Sequence, residues 1–294
     1  MDLSGIYAPI AVPFTELGQI DEDGLSFNLE KWASSELDGI VFPGSNSEFP
    51  FLTEQEKLAI WKTCIAAMHA KGKKVIAGTG MESTSETIRL NDIAIDLGAD
   101  AALIIPPYFY RPAMSHEVLM EHYLRVADSS SMPILLYNVP AYSGIDFQAQ
   151  TILKLSEHAN IMGMKDSSSN VIKSSLILAK KPAFQLFCGT AGSLLPFLSI
   201  GAFGGIMALA NFAIGPLVTL FKDFIKGDLD SAKNIQHNIN AINTTVTSKF
   251  GVSGLKYAMN QCGFKGGYPR KPLLAVDDNT RAIIDELLVE AGLG

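Results

Sequence analysis

Two polar residues end apolar runs in positions that chemistry could use. Lys165 closes Ile161-Met162-Gly163-Met164-Lys165, and Tyr137 lies at the end of Ile134-Leu135-Leu136-Tyr137-Asn138. Short apolar runs of this kind read as strands covered on both faces, so both side chains would be partly withdrawn from water. Withdrawal from water disfavours an ammonium, and only a neutral amine attacks a carbonyl to form a Schiff base. A phenol on the preceding strand would neighbour that amine across one strand pairing and could give and regain a proton beside the imine. Each residue also suits a plain role: a lysine that caps a strand and reaches solvent, and an amphipathic tyrosine at the mouth of the fold.

A second set of residues could hold a carboxylate. The segment Pro43-Gly44-Ser45-Asn46-Ser47-Glu48 combines a glycine with hydroxyl, amide and backbone donors, although turns rich in these residues also arise for geometric reasons alone. Gly78-Thr79-Gly80 and Gly189-Thr190-Ala191-Gly192 are similarly permissive. The histidines, His69, His116, His122, His158 and His237, fall in helical patterns or their flanks without an HExxH motif. Packing or surface roles suit them better than ligation, so neither a metal nor an organic cofactor is expected. There is no P-loop, G-x-S-x-G elbow or CxxC, which argues against kinase, hydrolase and redox chemistry.

The elements that must position these residues alternate regularly. Strand-like runs cover Tyr7–Phe14, Gly39–Pro43, Lys74–Thr79, Ala101–Ile105, Pro133–Asn138, Ile161–Lys165, Phe184–Gly189 and Gly204–Leu209. Helical segments lie between them, including Thr53–Ala70, opened by TEQE, and Ser83–Leu97, opened by STSE. This rhythm predicts an α/β fold, a (β/α)8 TIM barrel, whose chemistry sits at the strand C-termini. An open doubly wound sheet would place GxGxxG in its first turn, and PFTELGQ has none. Beyond Phe221 the pattern becomes purely helical, over Asp228–Lys249, Val252–Cys262 and Asp277–Ala291. The expected organisation is a barrel over 1–224 and a small C-terminal helical domain over 225–294.

Composition narrows the partners. With 23 Lys and Arg against 30 Asp and Glu, the formal charge is -7, and the basic residues form no stripe, so nucleic acid is not expected. The same charge opposes anionic substrates at long range, leaving local donors to bind them. Cys64, Cys188 and Cys262 are widely separated, and neither a leader-like start nor a long apolar run occurs. A cytoplasmic protein without membrane association is therefore expected.

GSNSE at 44–48, YNVPAYSG at 137–144, GMKDSSSN at 163–170, GGIMALAN at 204–211 and GYPRKPL at 267–273 together give the chain a full-length resemblance. It resembles the dihydrodipicolinate synthase and N-acetylneuraminate lyase superfamily of pyruvate-dependent class I aldolases. The resemblance implies that Lys165 forms the imine, Tyr137 shuttles protons, and Ser45 with nearby backbone holds the carboxylate of pyruvate. Asn46 stands where many relatives have threonine, and Gly189 and Ile206 match positions lining the pyruvate pocket. It further implies a homotetramer of barrels with helical C-terminal extensions.

Within that superfamily, GSNSEFPFLT, GADAALIIPPYFYR and FGVSGLKYAMNQCGFKGG are most similar to the 4-hydroxy-2-oxoglutarate aldolase branch. That implies reversible cleavage to pyruvate and glyoxylate. Dihydrodipicolinate synthases carry an arginine for the aldehyde's carboxylate at the position of Tyr142, so the resemblance disfavours their reaction. Phe109 stands where many relatives have a tyrosine contributed across a subunit interface. A 2-keto-3-deoxy sugar acid aldolase, with contacts from Tyr142, Ser143 and residues 108–110, is an alternative. A non-catalytic 2-oxo acid-binding barrel is the alternative outside enzymology.

Overall fold

The computed structural model describes residues 1–293. Its strands are β1 (Gly5–Pro9), β2 (Gly39–Phe42), β3 (Lys74–Gly78), β4 (Ala101–Ile104), β5 (Ile134–Asn138), β6 (Ile161–Asp166), β7 (Gln185–Cys188) and β8 (Gly204–Ile206). They pair in parallel in chain order, and β8 closes onto β1 through Tyr7 opposite Ile206. All eight expected strands are present, most a residue or two shorter than the apolar runs. The largest difference is the first, expected over Tyr7–Phe14. The Ile10 amide still donates to the Val41 carbonyl at 3.1 Å, but beyond it the chain leaves the sheet, and the amide of Ala11 donates instead to the Asn211 side chain at 3.0 Å.

Helices α1 (Glu22–Ser34), α2 (Glu54–His69), α3 (Thr84–Leu97) and α4 (His116–Ser129) cover the first half of the barrel. Around the second half lie the short α5 (Pro140–Ser143), then α6 (Ala149–Leu155), α7 (Val171–Lys180), α8 (Leu194–Ser199) and α9 (Ile214–Lys226). The starts read from TEQE and STSE are real caps: the Thr53 and Ser83 hydroxyls accept from the amides of Glu56 and Glu86. Alternation sorts the strand side chains into two layers. Tyr7, Val41, Ile76, Leu103, Leu135, Phe187 and Ile206 fill the interior, while Ile6, Ile40, Val75, Leu136 and Leu186 face the helices.

One break in alternation decides where the candidate lysine points. Met162 packs on the interior layer, so strict alternation would turn Met164 inward and Lys165 outward. Instead the register slips between Ile134 and Leu135, and Ile134 pairs with Ile161 while Leu135 pairs with Gly163. After this bulge Met164 lies in the helix-facing layer, and Lys165 comes opposite Tyr137 on the inward side. Glycine is required at the slip, because a Cβ on Gly163 would stand 2.2 Å from the Gln185 carbonyl and 2.9 Å from Leu135 Cδ2.

The last part of the chain forms α10 (Leu229–Ile242), a π-helical turn over Asn243–Lys249, α11 (Gly251–Gln261) and α12 (Asp278–Glu290). They do not enclose a separate core. Ile239, Val246, Leu255, Met259 and Ile284 belong to the same continuous buried cluster as the barrel's helix-facing layer. A boundary at 224/225 cuts through α9.

Gly163→Ala is expected to lower the unfolding free energy by about 1–3 kcal/mol, the usual penalty for overpacking. Chemical denaturation checks this, and an unchanged midpoint would mean that the slip tolerates a side chain.

Candidate active site

Lys165 is 5% exposed and Tyr137 6%, both at the carboxyl ends of adjacent strands. Lys165 Nζ donates to Tyr137 Oη at 3.3 Å and lies 4.3 Å from the centroid of the same ring. Tyr137 Oη is 3.5 Å from Ser45 Oγ, and either hydroxyl can donate. An amine, a phenol and a serine hydroxyl thus stand in line, a path along which a proton can move between the amine and the turn after β2.

The next residue, Asp166, faces away from this line. Its buried carboxylate accepts from Asn138 Nδ2 at 2.8 Å, the Ser168 amide at 2.9 Å and Ser174 Oγ at 3.2 Å, with Lys173 Nζ 3.9 Å away. Lys173 is itself paired with Asp146. The acid is therefore committed to bracing β5, β6 and α7, not to holding Lys165 as a salt-bridged cation.

Above the amine opens a cavity of about 250 Å³ whose wall includes Ser45, Asn46, Tyr137, Tyr142, Lys165 and Gly189. Asn46 spends its amide on the Pro9 carbonyl at 3.1 Å, fastening the turn to β1. Gly189 is forced by close approach: a Cβ there would lie 2.0 Å from Ser167 Oγ. Tyr142 stands at the rim, 59% exposed. Ile206 is fully buried in the interior layer below the cavity rather than in its wall. Phe109 is 74% exposed, edge-to-face with Tyr110, on a loop held by Glu82 accepting the Tyr108 and Phe109 amides. None of Tyr108, Phe109 and Tyr110 reaches the cavity wall.

The wall also contains Thr190 of the permissive Gly189–Gly192 segment, and residues that sequence reading passed over: Ser167, Asn243, Thr247 and Ser248. Asn243 Nδ2 donates to Thr190 Oγ1 at 3.0 Å, and Thr247 Oγ1 donates to the Asn243 carbonyl at 2.7 Å. Asn243, Thr247 and Ser248 come from the π-helical turn, a widened helical geometry that recurs at functional sites. The only trace in the sequence is the hydroxyl-rich stretch NTTVTSK inside an otherwise helical pattern. Lys165 is the one ionisable cation or acid in the wall among the described residues. Cys188 lies just behind it, where burial pushes its thiol up to about 12, so it is no competing nucleophile.

A sheltered amine with a proton path and a neutral polar wall can form and process an imine, which is the apparatus of the Schiff-base class I lyases. The Dihydrodipicolinate synthetase family profile matches residues 2–291, and the chain belongs to this family of pyruvate-dependent lyases. It is 32% identical over 288 residues to the 4-hydroxy-tetrahydrodipicolinate synthase of Methanothrix thermoacetophila, covering 97% of this chain and 96% of the relative. It is 34% identical over 256 residues to that of Corynebacterium urealyticum, covering 87% and 84%. Among solved structures, the chloride-inhibited dihydrodipicolinate synthase of Acinetobacter baumannii with pyruvate superposes at a TM-score of 0.93, with 29% identity and coverage of 99% and 100%. A prophage protein of E. coli K12 from the same family, also with pyruvate, superposes at 0.92 with 29% identity, covering 99% of each chain.

Iodoacetamide at mildly alkaline pH is expected to leave Cys188 and Cys64 unmodified in the folded protein and to reach them only after unfolding. Peptide mass spectrometry reads the outcome; rapid labelling of Cys188 would show that the cavity opens towards β7.

Proposed function

We propose that the chain joins pyruvate through a Schiff base on Lys165 and uses the derived enamine to make or break a carbon–carbon bond to an aldehyde. The observation that carries this reading is the inward-turned Lys165 amine 3.3 Å from the Tyr137 phenol. The two structural relatives solved with pyruvate support it. The neutral amine adds to C2, and Tyr137 supplies the proton with which water departs, leaving an iminium. Loss of a proton from C3 then gives an enamine, whose C3 attacks the aldehyde; cleavage is the reverse. The imine is its own electron sink, so the cycle asks for no metal or organic cofactor. Ser45 and the adjacent backbone hold the carboxylate, Asn46 fixes the turn, and Gly189 leaves room for the substrate. In this reading the active protein is a homotetramer, and the barrel carries the chemistry.

For the aldehyde partner, the names of the curated relatives support 4-hydroxy-tetrahydrodipicolinate synthase, and so an aldehyde that bears a carboxylate. A second reading, cleavage of 4-hydroxy-2-oxoglutarate to pyruvate and glyoxylate, is favoured by Tyr142. That residue stands where the resemblance places an arginine for the aldehyde's carboxylate, and no arginine lines the cavity among the described residues.

Borohydride with pyruvate is expected to fix a reduced adduct on the peptide containing Lys165, and Lys165→Ala to abolish it. Tyr137→Phe should fold normally and lose about 10²–10⁴-fold in turnover. An unlabelled Lys165 in folded protein overturns the mechanism. Pyruvate release from 4-hydroxy-2-oxoglutarate, with no 4-hydroxy-tetrahydrodipicolinate synthase activity, would replace the first reading by the second.

A further inference from the structure

The turn that bears Ser45 and Asn46 is bolted from behind by the far end of the chain. Glu48, which ends it, is a non-glycine residue in the left-handed region at φ 56, ψ 42. A backbone held there needs its surroundings to over-determine it. The Glu48 carboxylate is buried, and its Oε1 lies 2.5 Å from Nζ of Lys256 on α11, with both side chains 1% exposed. Its Oε2 accepts the Arg270 amide at 2.7 Å.

The cation is equally constrained. Lys256 Nζ donates to the Tyr268 carbonyl at 2.7 Å and lies 4.3 Å from the Phe14 ring centroid. Burial draws this ammonium down to about 8 even though Glu48 opposes the shift and Arg270 adds to it. The Arg270 guanidinium is meanwhile occupied by Glu56, at 2.6 and 3.0 Å, and by the Gly18 and Phe51 carbonyls. A buried ion pair is a costly way to hold a fold together, since apolar residues of similar volume usually serve as well. What it does better is fix one geometry, and here the fixed element is the turn in the cavity wall.

We propose that the Lys256–Glu48 pair is a positioning device for the carboxylate-binding turn. Through it α11 sets the affinity for the 2-oxo acid without touching it. This rests on the reading that pyruvate's carboxylate is held at Ser45. The π-helical turn that leads into α11 also forms part of the cavity wall, so α11 is joined to the site by chain continuity as well as by the ion pair.

The test uses the full chain. Lys256→Met removes the charge but strands a buried carboxylate and can fail to fold, so it is paired with the neutral double variant Glu48→Gln/Lys256→Met. In the double variant the melting temperature is expected to recover while KM for pyruvate stays raised by about tenfold and kcat changes little. The borohydride adduct on Lys165 still forms at saturating pyruvate. Recovery of KM together with stability would reduce the pair to a structural role and overturn the proposal.

Amide hydrogen exchange on the unliganded protein separates this from the functional reading. Exchange over residues 44–48 should quicken in the double variant while the barrel strands stay protected, whether or not pyruvate binds. Unchanged exchange at those residues overturns the proposal even if wild-type protein traps pyruvate. If wild-type protein traps none, it is the functional reading that falls, and exchange alone decides the positioning.

Discussion

An amine can be kept beside a phenol inside a barrel only if the strand beneath it presents that side chain inward, and in this protein one slipped residue does so. The bulge at Gly163 exchanges the faces of Met164 and Lys165. Met164 gains an apolar niche under the helices, and the lysine gains a place from which bulk water is nearly excluded. Burying an amine without a partner costs free energy, and the Tyr137 hydroxyl and ring face offset part of that cost. Asp166 follows in sequence yet reaches the other side of the sheet, where Asn138, Ser168 and Ser174 satisfy it. Had strict alternation continued, the acid would face the interior and the lysine the helices.

The neutrality of the remaining wall follows the same logic. A chain of net charge -7 repels an anion at a distance, so attraction must be local. Ser45, Thr190, Asn243, Thr247 and Ser248 offer uncharged donors around the Lys165 amine. In the proposed cycle the charge that matters is the one made during the reaction, when the imine becomes a cation beside the carboxylate of its own substrate. A second fixed cation in the wall would bind the acid more tightly but would also stabilise its ground state, which does not raise turnover.

Much of this was legible in the residues and some was not. Uninterrupted apolar runs give the strands away because a parallel sheet is covered on both faces, and Thr53 and Ser83 give the helix starts away because caps are local. The neighbourhood of Tyr137 and Lys165 follows from strand order alone. The slip at Gly163 is invisible, because a glycine in an apolar run reads equally well as an ordinary strand residue. The π-helical turn hides for a different reason: NTTVTSK carries no signal separating a widened helix from a regular one. Ile206 shows the limit of carrying positions over by likeness, since it lies at the right strand end and still sits a layer below the cavity.

The C-terminal helices read in sequence as an appendage because no strand interrupts them, yet their packing makes them part of the barrel. Trp32 of α1 stacks on Phe264 at 6.0 Å, and Asn28 exchanges two hydrogen bonds with the Lys265 backbone, at 2.7 and 2.8 Å. Ile239, Leu255 and Met259 add to a core that the barrel helices already share. Cutting the chain at the change of rhythm would expose apolar surface on both sides of α9 and leave Glu48 buried without its cation. Such losses are far larger than those at a loop between independent units. The same packing explains how residues beyond 240 come to wall a cavity whose amine and phenol lie before 170: the core that carries them to the barrel mouth is the one that holds the barrel closed.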